Sequence, residues 1–135
     1  MPRISIEDRI DIEELVTEYA WLLDHQRWGE VSALCTDDAV LHIRGREIVG
    51  QDGLKEWAEY RAMKKNRRTQ HQMTLLRLDA VTNDHVRGSC GLVLHTAKAG
   101  GGTYVDLVGE YQDEYVRSNG GWKFQARRLV RLEES

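Results

Sequence analysis

Two residues far apart in the chain have the right types to work together: Asp24 ends the run YAWLLD, and His71 stands in RRTQHQMTLLRL. A carboxylate that orients an imidazole makes a general base working near neutral pH. Such a base removes a proton from a carbon beside a carbonyl or another electron sink, while the carboxylate fixes the tautomer and stabilises the imidazolium. Loss of a β leaving group then completes an elimination, and the same abstraction can end in isomerisation or ring closure. A positioned base contributes about 10²- to 10⁴-fold, so the developing enolate also needs a donor. Tyr19, Tyr111 and His95 are the candidates for it.

Other chemistries find little support. The five histidines form no HxH or HExxH and have no acidic cluster beside them at ligand spacing, so no metal and no cofactor are expected. His25, His42 and His85 read as structural or surface residues. Cys35 and Cys90 belong to no CxxC or Cys/His pattern and are expected to be buried free thiols. AGGGTY lacks the Lys-Ser/Thr of a phosphate loop and reads as a turn. RAMKKNRR packs five basic residues into eight positions without interleaved aromatics, which reads as a solvated helix end and not a nucleic-acid site.

The elements that must position Asp24 and His71 run helices first, strands afterwards. Ser5 followed by Asp8 resembles a capping signal, and Ile12, Leu15, Val16, Tyr19, Leu22 and Leu23 repeat at helical spacing, predicting a helix from about Ile6 to Asp24. Val31, Leu34 and Cys35 predict a short second helix stopping at Asp37 and Asp38, and AVLHIRG, residues 39–45, a short strand. Gly50 to Gly53 read as a turn, and Leu54, Trp57, Ala58, Arg61 and Ala62 as one face of a third helix.

From Thr69 the pattern changes to strands. Thr69–Val81 and His85–Thr96 flank TNDH and should form a hairpin, AKAGGG should form the next tip, and the long strand after it should bend at Gly109. After Asn119, Gly120 and Gly121, the alternation of Trp122, Phe124, Ala126, Arg128 and Val130 predicts a last strand with one buried face. The result is an α+β domain of three helices followed by a mostly antiparallel curved sheet.

Alternation puts His71 on one face with Met73 and Leu75, and His95 on one face with Val93. Asp24 has no such support. It lies off the apolar stripe and against the negative end of the helix dipole, a loss of about 0.3–1 kcal/mol, so neither helix stability nor periodicity explains it. A place in a solvent-exposed turn stays open.

At 135 residues and 15.6 kDa the chain, residues 1–135, suits a single domain with a real core. With 19 basic and 22 acidic residues its net charge is −3, which gives no general attraction to nucleic acid or anionic membrane. No run approaches the roughly 20 apolar residues of a membrane span, and MPRISIEDRIDIEELV lacks the apolar core of a secretory signal. A soluble, reducing, cytoplasmic setting is the expectation.

The succession YAWLLDHQRW, TDDAVLHIRGREIVGQDGLKEW, RTQHQMT and VGEYQDEYVRSNGGWKF resembles the nuclear transport factor 2-like superfamily, in its SnoaL-like and scytalone dehydratase-like branches, over nearly the whole chain. The resemblance implies a cone in which three N-terminal helices close a strongly curved, mixed, mostly antiparallel sheet around a deep apolar pocket. Dehydratase-like members place an Asp late in the first helix and a His early in a sheet strand, and Asp24 and His71 fall at those positions. The resemblance thus implies Asp24 and His71 as a catalytic pair inside the pocket. His95 falls where that branch carries a second pocket histidine; Tyr19, Met73, Val93 and Tyr111 complete the expected substrate contacts. Where the branch uses tyrosines to hold a water and polarise a carbonyl, this chain offers Leu23 and Arg44.

Two classes of function follow. The first is a cofactor-independent lyase or isomerase acting on a hydrophobic cyclic small molecule, with a polyketide-cyclase-like enzyme using an acidic base as its variant. The second is a non-catalytic small-molecule-binding module. Tyr104, Tyr115, Val116 and Trp122 are expected on the outer sheet face, and a homo-oligomer, trimer or dimer, is expected there.

Overall fold

The computed structural model describes residues 3–64 and 66–134, so Lys65 of the basic stretch lies outside the described residues. Helix α1 spans Ile6–Asp24, a 3-10 helix spans Trp28–Leu34, β1 is Cys35–Ile43, β2 is Arg46–Val49 and α2 is Gly50–Ala62. Four long strands follow, β3 (Thr69–Thr82), β4 (His85–Ala97), β5 (Thr103–Ser118) and β6 (Gly121–Arg131), with a short 3-10 turn at Leu132–Glu134.

Helix α1 starts where Ser5 caps it, the Asp8 N–H donating to the Ser5 hydroxyl at 3.0 Å. It buries Ile12, Leu15, Val16, Tyr19, Ala20 and Leu22 against β3 and β6. The six strands form one open sheet in the order β2-β1-β6-β5-β4-β3. Every pairing is antiparallel except β1 with β6, so the sheet is mixed, as the resemblance implies. Helix α2 lies on β1 and on the 3-10 helix, and α1 and α2 together cover the concave side. At Gly109 a Cβ would run into the Val130 carbonyl oxygen, so only glycine lets β5 and β6 approach so closely there.

Several elements differ from expectation. The strand expected over residues 39–45 is a hairpin: Arg44 and Gly45 have φ of 54° and 77°, the positive values a two-residue I′ turn demands, and β2 returns from it. The expected second helix is a 3-10 segment ending at Leu34, because Cys35 to Asp38 already belong to β1. The expected turn at Gly50 to Gly53 is the first turn of α2.

Ladder irregularities disturb the alternation at several points. Between Thr74 and Arg77 the register slips, and Leu75, with φ 48°, is thrown outward and is 90% exposed, while Leu76 and Leu78 pack against the core in its place. Opposite the slip between Glu114 and Tyr115, β6 carries an extra residue, Gln125, so Arg127 is buried and Arg128 exposed. The expected parity is therefore correct through Phe124 and reversed at Arg127 and Arg128. A further slip separates Leu94 from His95. Tyr115, expected on the outer face, is buried in the core, and Trp122, read both on the buried face of the last strand and on the outer face, takes the buried place, while Tyr104 is 43% exposed. Cys35 and Cys90 are buried free thiols, and burial pushes them up to about 12 and about 11.

Candidate active site

The last residue of α1 and the third residue of β3 meet. His71 Nδ1 and Asp24 Oδ1 are 2.6 Å apart, and the His71 backbone N–H donates to Asp24 Oδ2 at 2.8 Å. The Thr69 hydroxyl donates to Oδ1 at 3.0 Å. Thr69 and His71 share a strand face, so one β-strand supplies three donors to one carboxylate. Side-chain exposure is 14% for Asp24 and 9% for His71, which removes the solvent-exposed turn as a place for Asp24. Burial pushes the Asp24 carboxyl up; the bonds from the His71 ring and backbone, the imidazole charge and the Thr69 bond outweigh it and hold the carboxyl below its usual value. An ionised Asp24 accepts from Nδ1–H, which leaves Nε2 of His71 with its lone pair and no partner among the described residues.

His71 lines a cavity of about 280 Å³. The floor is buried: Tyr19, Trp57, Leu92, Leu94 and Tyr111. The Tyr19 and Tyr111 rings meet edge to face at 6.0 Å, and burial raises the Tyr19 hydroxyl to about 12 and holds the Tyr111 hydroxyl well above its ordinary value, so both are protonated donors. Beneath them lies the Arg127 guanidinium, 3.6 Å from the Tyr111 ring centre and 4.4 Å from that of Tyr19. Arg127 is paired with Asp113 at 2.8 Å, and its Nη1 is buried with no hydrogen-bond partner among the described residues. Burial opposes the charge on Arg127, but the Asp113 carboxylate and the electron-rich tyrosines more than restore it.

The mouth has a different character. Arg44, Arg46, Arg61, Lys64 and Arg67 line it, so the pocket is apolar only at its base. RAMKKNRR is thus not simply a solvated helix end, because Arg61, Lys64 and Arg67 turn toward the cavity.

Of the expected contacts, Tyr19 and Tyr111 line the cavity together with His71. Met73 shares the face of His71 but packs against the core instead of lining the cavity. Val93 and His95 do not line it. Leu92 and Leu94 take the inward positions of β4, which turns Val93 to the other face, and His95 bonds Gln72 across the strands at 2.9 Å. His25 bonds the Trp21 carbonyl at 2.8 Å, and His42 and His85 stand beside Glu47 and Glu114. Sequence reasoning missed Arg127, since nothing in the residue pattern marks the bulge at Gln125. It also missed Thr69, which the i, i+2 spacing to His71 makes legible. Among the described residues no three His, Cys, Asp or Glu side chains are grouped to hold a metal ion.

No helix among the described residues is long and apolar enough to cross a membrane. The γ-hexachlorocyclohexane dehydrochlorinase of Sphingobium indicum is 27% identical over 123 residues, 90% of this chain and 79% of the relative. The crystal structure of LinA superposes with a TM-score of 0.81 at 26% identity, covering 93% of this chain and 86% of that one. A putative scytalone dehydratase from Novosphingobium aromaticivorans shares the fold, with a TM-score of 0.79, 22% identity and coverage of 93% and 85%. Lyase activity is therefore found among this chain's relatives. A family model described as the SnoaL-like domain matches residues 5–128, and the chain belongs to that family.

Proposed function

We propose that the protein is a cofactor-independent lyase that eliminates a leaving group from a cyclic small molecule, with His71 as general base and Asp24 as its positioning partner. The observation that carries this reading is the 2.6 Å Asp24–His71 bond at the wall of the cavity, with Nε2 unpartnered among the described residues. Nε2 takes the proton from the carbon adjacent to the electron sink, and the Asp24 carboxylate stabilises the imidazolium formed. Tyr19 and Tyr111, protonated and backed by the positive Arg127, supply the donors for the developing oxyanion. The leaving group departs from the β carbon, and the proton held on Nε2 is available to it. The relationship to a dehydrochlorinase supports an elimination outcome over isomerisation.

An acidic base acting alone is less well supported, because both Asp24 oxygens are engaged by Thr69 and His71. The test is a panel of cyclic β-hydroxy and β-halo carbonyl compounds followed by the ultraviolet absorbance of the conjugated product. Turnover should fall by about 10²- to 10⁴-fold in His71→Ala with circular dichroism unchanged. Equal rates in wild type and His71→Ala would sink the reading.

A further inference from the structure

The charge around the cavity is out of balance. Among the described residues, five cationic side chains line it and no carboxylate does. Asp106 on β5 accounts for two of them: Arg44 lies 3.3 Å from it, Arg67 is also bonded to it, and the Thr96 hydroxyl donates to it at 3.2 Å. The Asp24 charge is taken up by His71 and Thr69. Arg46, Arg61 and Lys64 therefore remain, and none has an ion-pair partner among the described residues. Their contacts are aromatic: Arg46 and Lys64 lie over the Tyr60 ring at 4.5 and 4.8 Å, and Arg61 over Trp28 at 5.6 Å. Arg61 is half-buried, and its pKa is lowered by burial first and then by the charges of Arg67 and Arg44. A desolvated cation among cations is costly unless an anion arrives to share the site.

Resting on the reading of this cavity as the substrate site, we propose that the molecule acted on carries an anionic oxygen group, a carboxylate or a phosphoryl, which docks among Arg46, Arg61 and Lys64 at the cavity mouth. The cations come from the β1–β2 hairpin and the end of α2, whereas His71, Tyr19 and Tyr111 come from β3, α1 and β5. One end of the substrate is thereby anchored by charge and the other presented to the base. Planar guanidinium groups suit either oxygen geometry.

Titration calorimetry of the wild-type protein with 2-naphthoate, its neutral isostere 2-naphthamide and 2-naphthyl phosphate tests this. The two anions should bind roughly tenfold or more tightly than the amide, with a preference that shrinks at high salt. Which anion binds better separates a carboxylate from a phosphoryl substrate. The preference should largely disappear in Arg61→Gln and decline in Arg46→Gln and Lys64→Gln. If loss of the Trp28 contact prevents Arg61→Gln from folding, the two exposed positions carry the test. Equal binding of acid and amide, or a preference unaltered in the folded variants, would overturn the proposal. The preference should persist in His71→Ala. Anion selectivity without elimination would therefore count against the lyase reading alone, and elimination without anion selectivity against this proposal alone.

Discussion

Two carboxylates inside this molecule each hold a basic side chain, and the contrast between them separates stability from chemistry. Asp113 and Arg127 are both fully buried, bonded at 2.8 and 3.2 Å, and the Tyr115 hydroxyl also donates to Asp113 at 2.6 Å. Asp24 is bonded as tightly, but to an imidazole that borders a cavity. A guanidinium cannot give up its proton near neutral pH, whereas an imidazole can gain and release one. The first pair is thus a fixed charge behind the cavity floor, and the second is suited to moving a proton.

The largest effect should come from breaking the fixed pair. Asp113→Ala leaves Arg127 buried without its counter-ion and should lose about 3–5 kcal/mol in urea unfolding. Replacing both, as Asp113→Leu with Arg127→Met, should cost much less than the sum of the two single changes. Strict additivity would show that the pair is not coupled. At the other carboxylate the losses should reverse in kind. Asp24→Asn should lower turnover by about 10²-fold or more while the unfolding midpoint moves little. A large stability loss with unchanged turnover would place Asp24 in the same class as Asp113.

A third carboxylate gives the smallest effect and a pH signature. Asp8 is bonded by Arg117 at 2.9 Å and by the Trp122 indole at 3.0 Å, and these bonds, Arg117 first, bring its carboxyl from 3.8 to about 2. Because the folded value lies below the unfolded one, its contribution is complete above pH 3.8 and is lost as the pH falls through about 2. The difference in urea midpoint between wild type and Asp8→Asn should be modest at neutral pH and shrink between pH 4 and pH 2. A difference that grows on acidification would contradict the assignment.

Much of this arrangement is legible in residue order. The apolar stripe of α1 and the Ser5 cap predict the helix to its last residue, and the alternation from Thr69 predicts the long strands. Residue chemistry identifies Asp24 and His71 as compatible, although nothing periodic directs Asp24 inward. What turns it inward is the three-donor cradle from β3, a tertiary contact. The parity errors have one cause: a bulge inserts a residue and reverses every side chain beyond it. Hence Arg128 rather than Arg127 was expected to face the core, and Leu75 was expected beside Met73. His95 was expected in the pocket because its segment resembles one that carries a pocket histidine, whereas Leu92 and Leu94 hold the inward positions of β4. The cationic mouth escapes sequence reading for another reason, since its members come from two segments, the β1–β2 hairpin and the end of α2 with the residues just after it, which only the fold brings to one cavity.

The sheet order has a consequence for how the chain acquires its shape. β6, the last of the described strands in chain order, lies between β1 and β5, and it forms the only parallel pairing among the described residues. Until it is in place, the β1–β2 hairpin has no strand to join it to the other three, and Tyr19 and Tyr111 lack the guanidinium that backs them. Pairings so distant in sequence are slow to form because a long loop must close first. A growing chain of this protein therefore carries two unconnected sheet fragments with open edges until β6 is made and docks, and in that interval its strands are most exposed to aggregation.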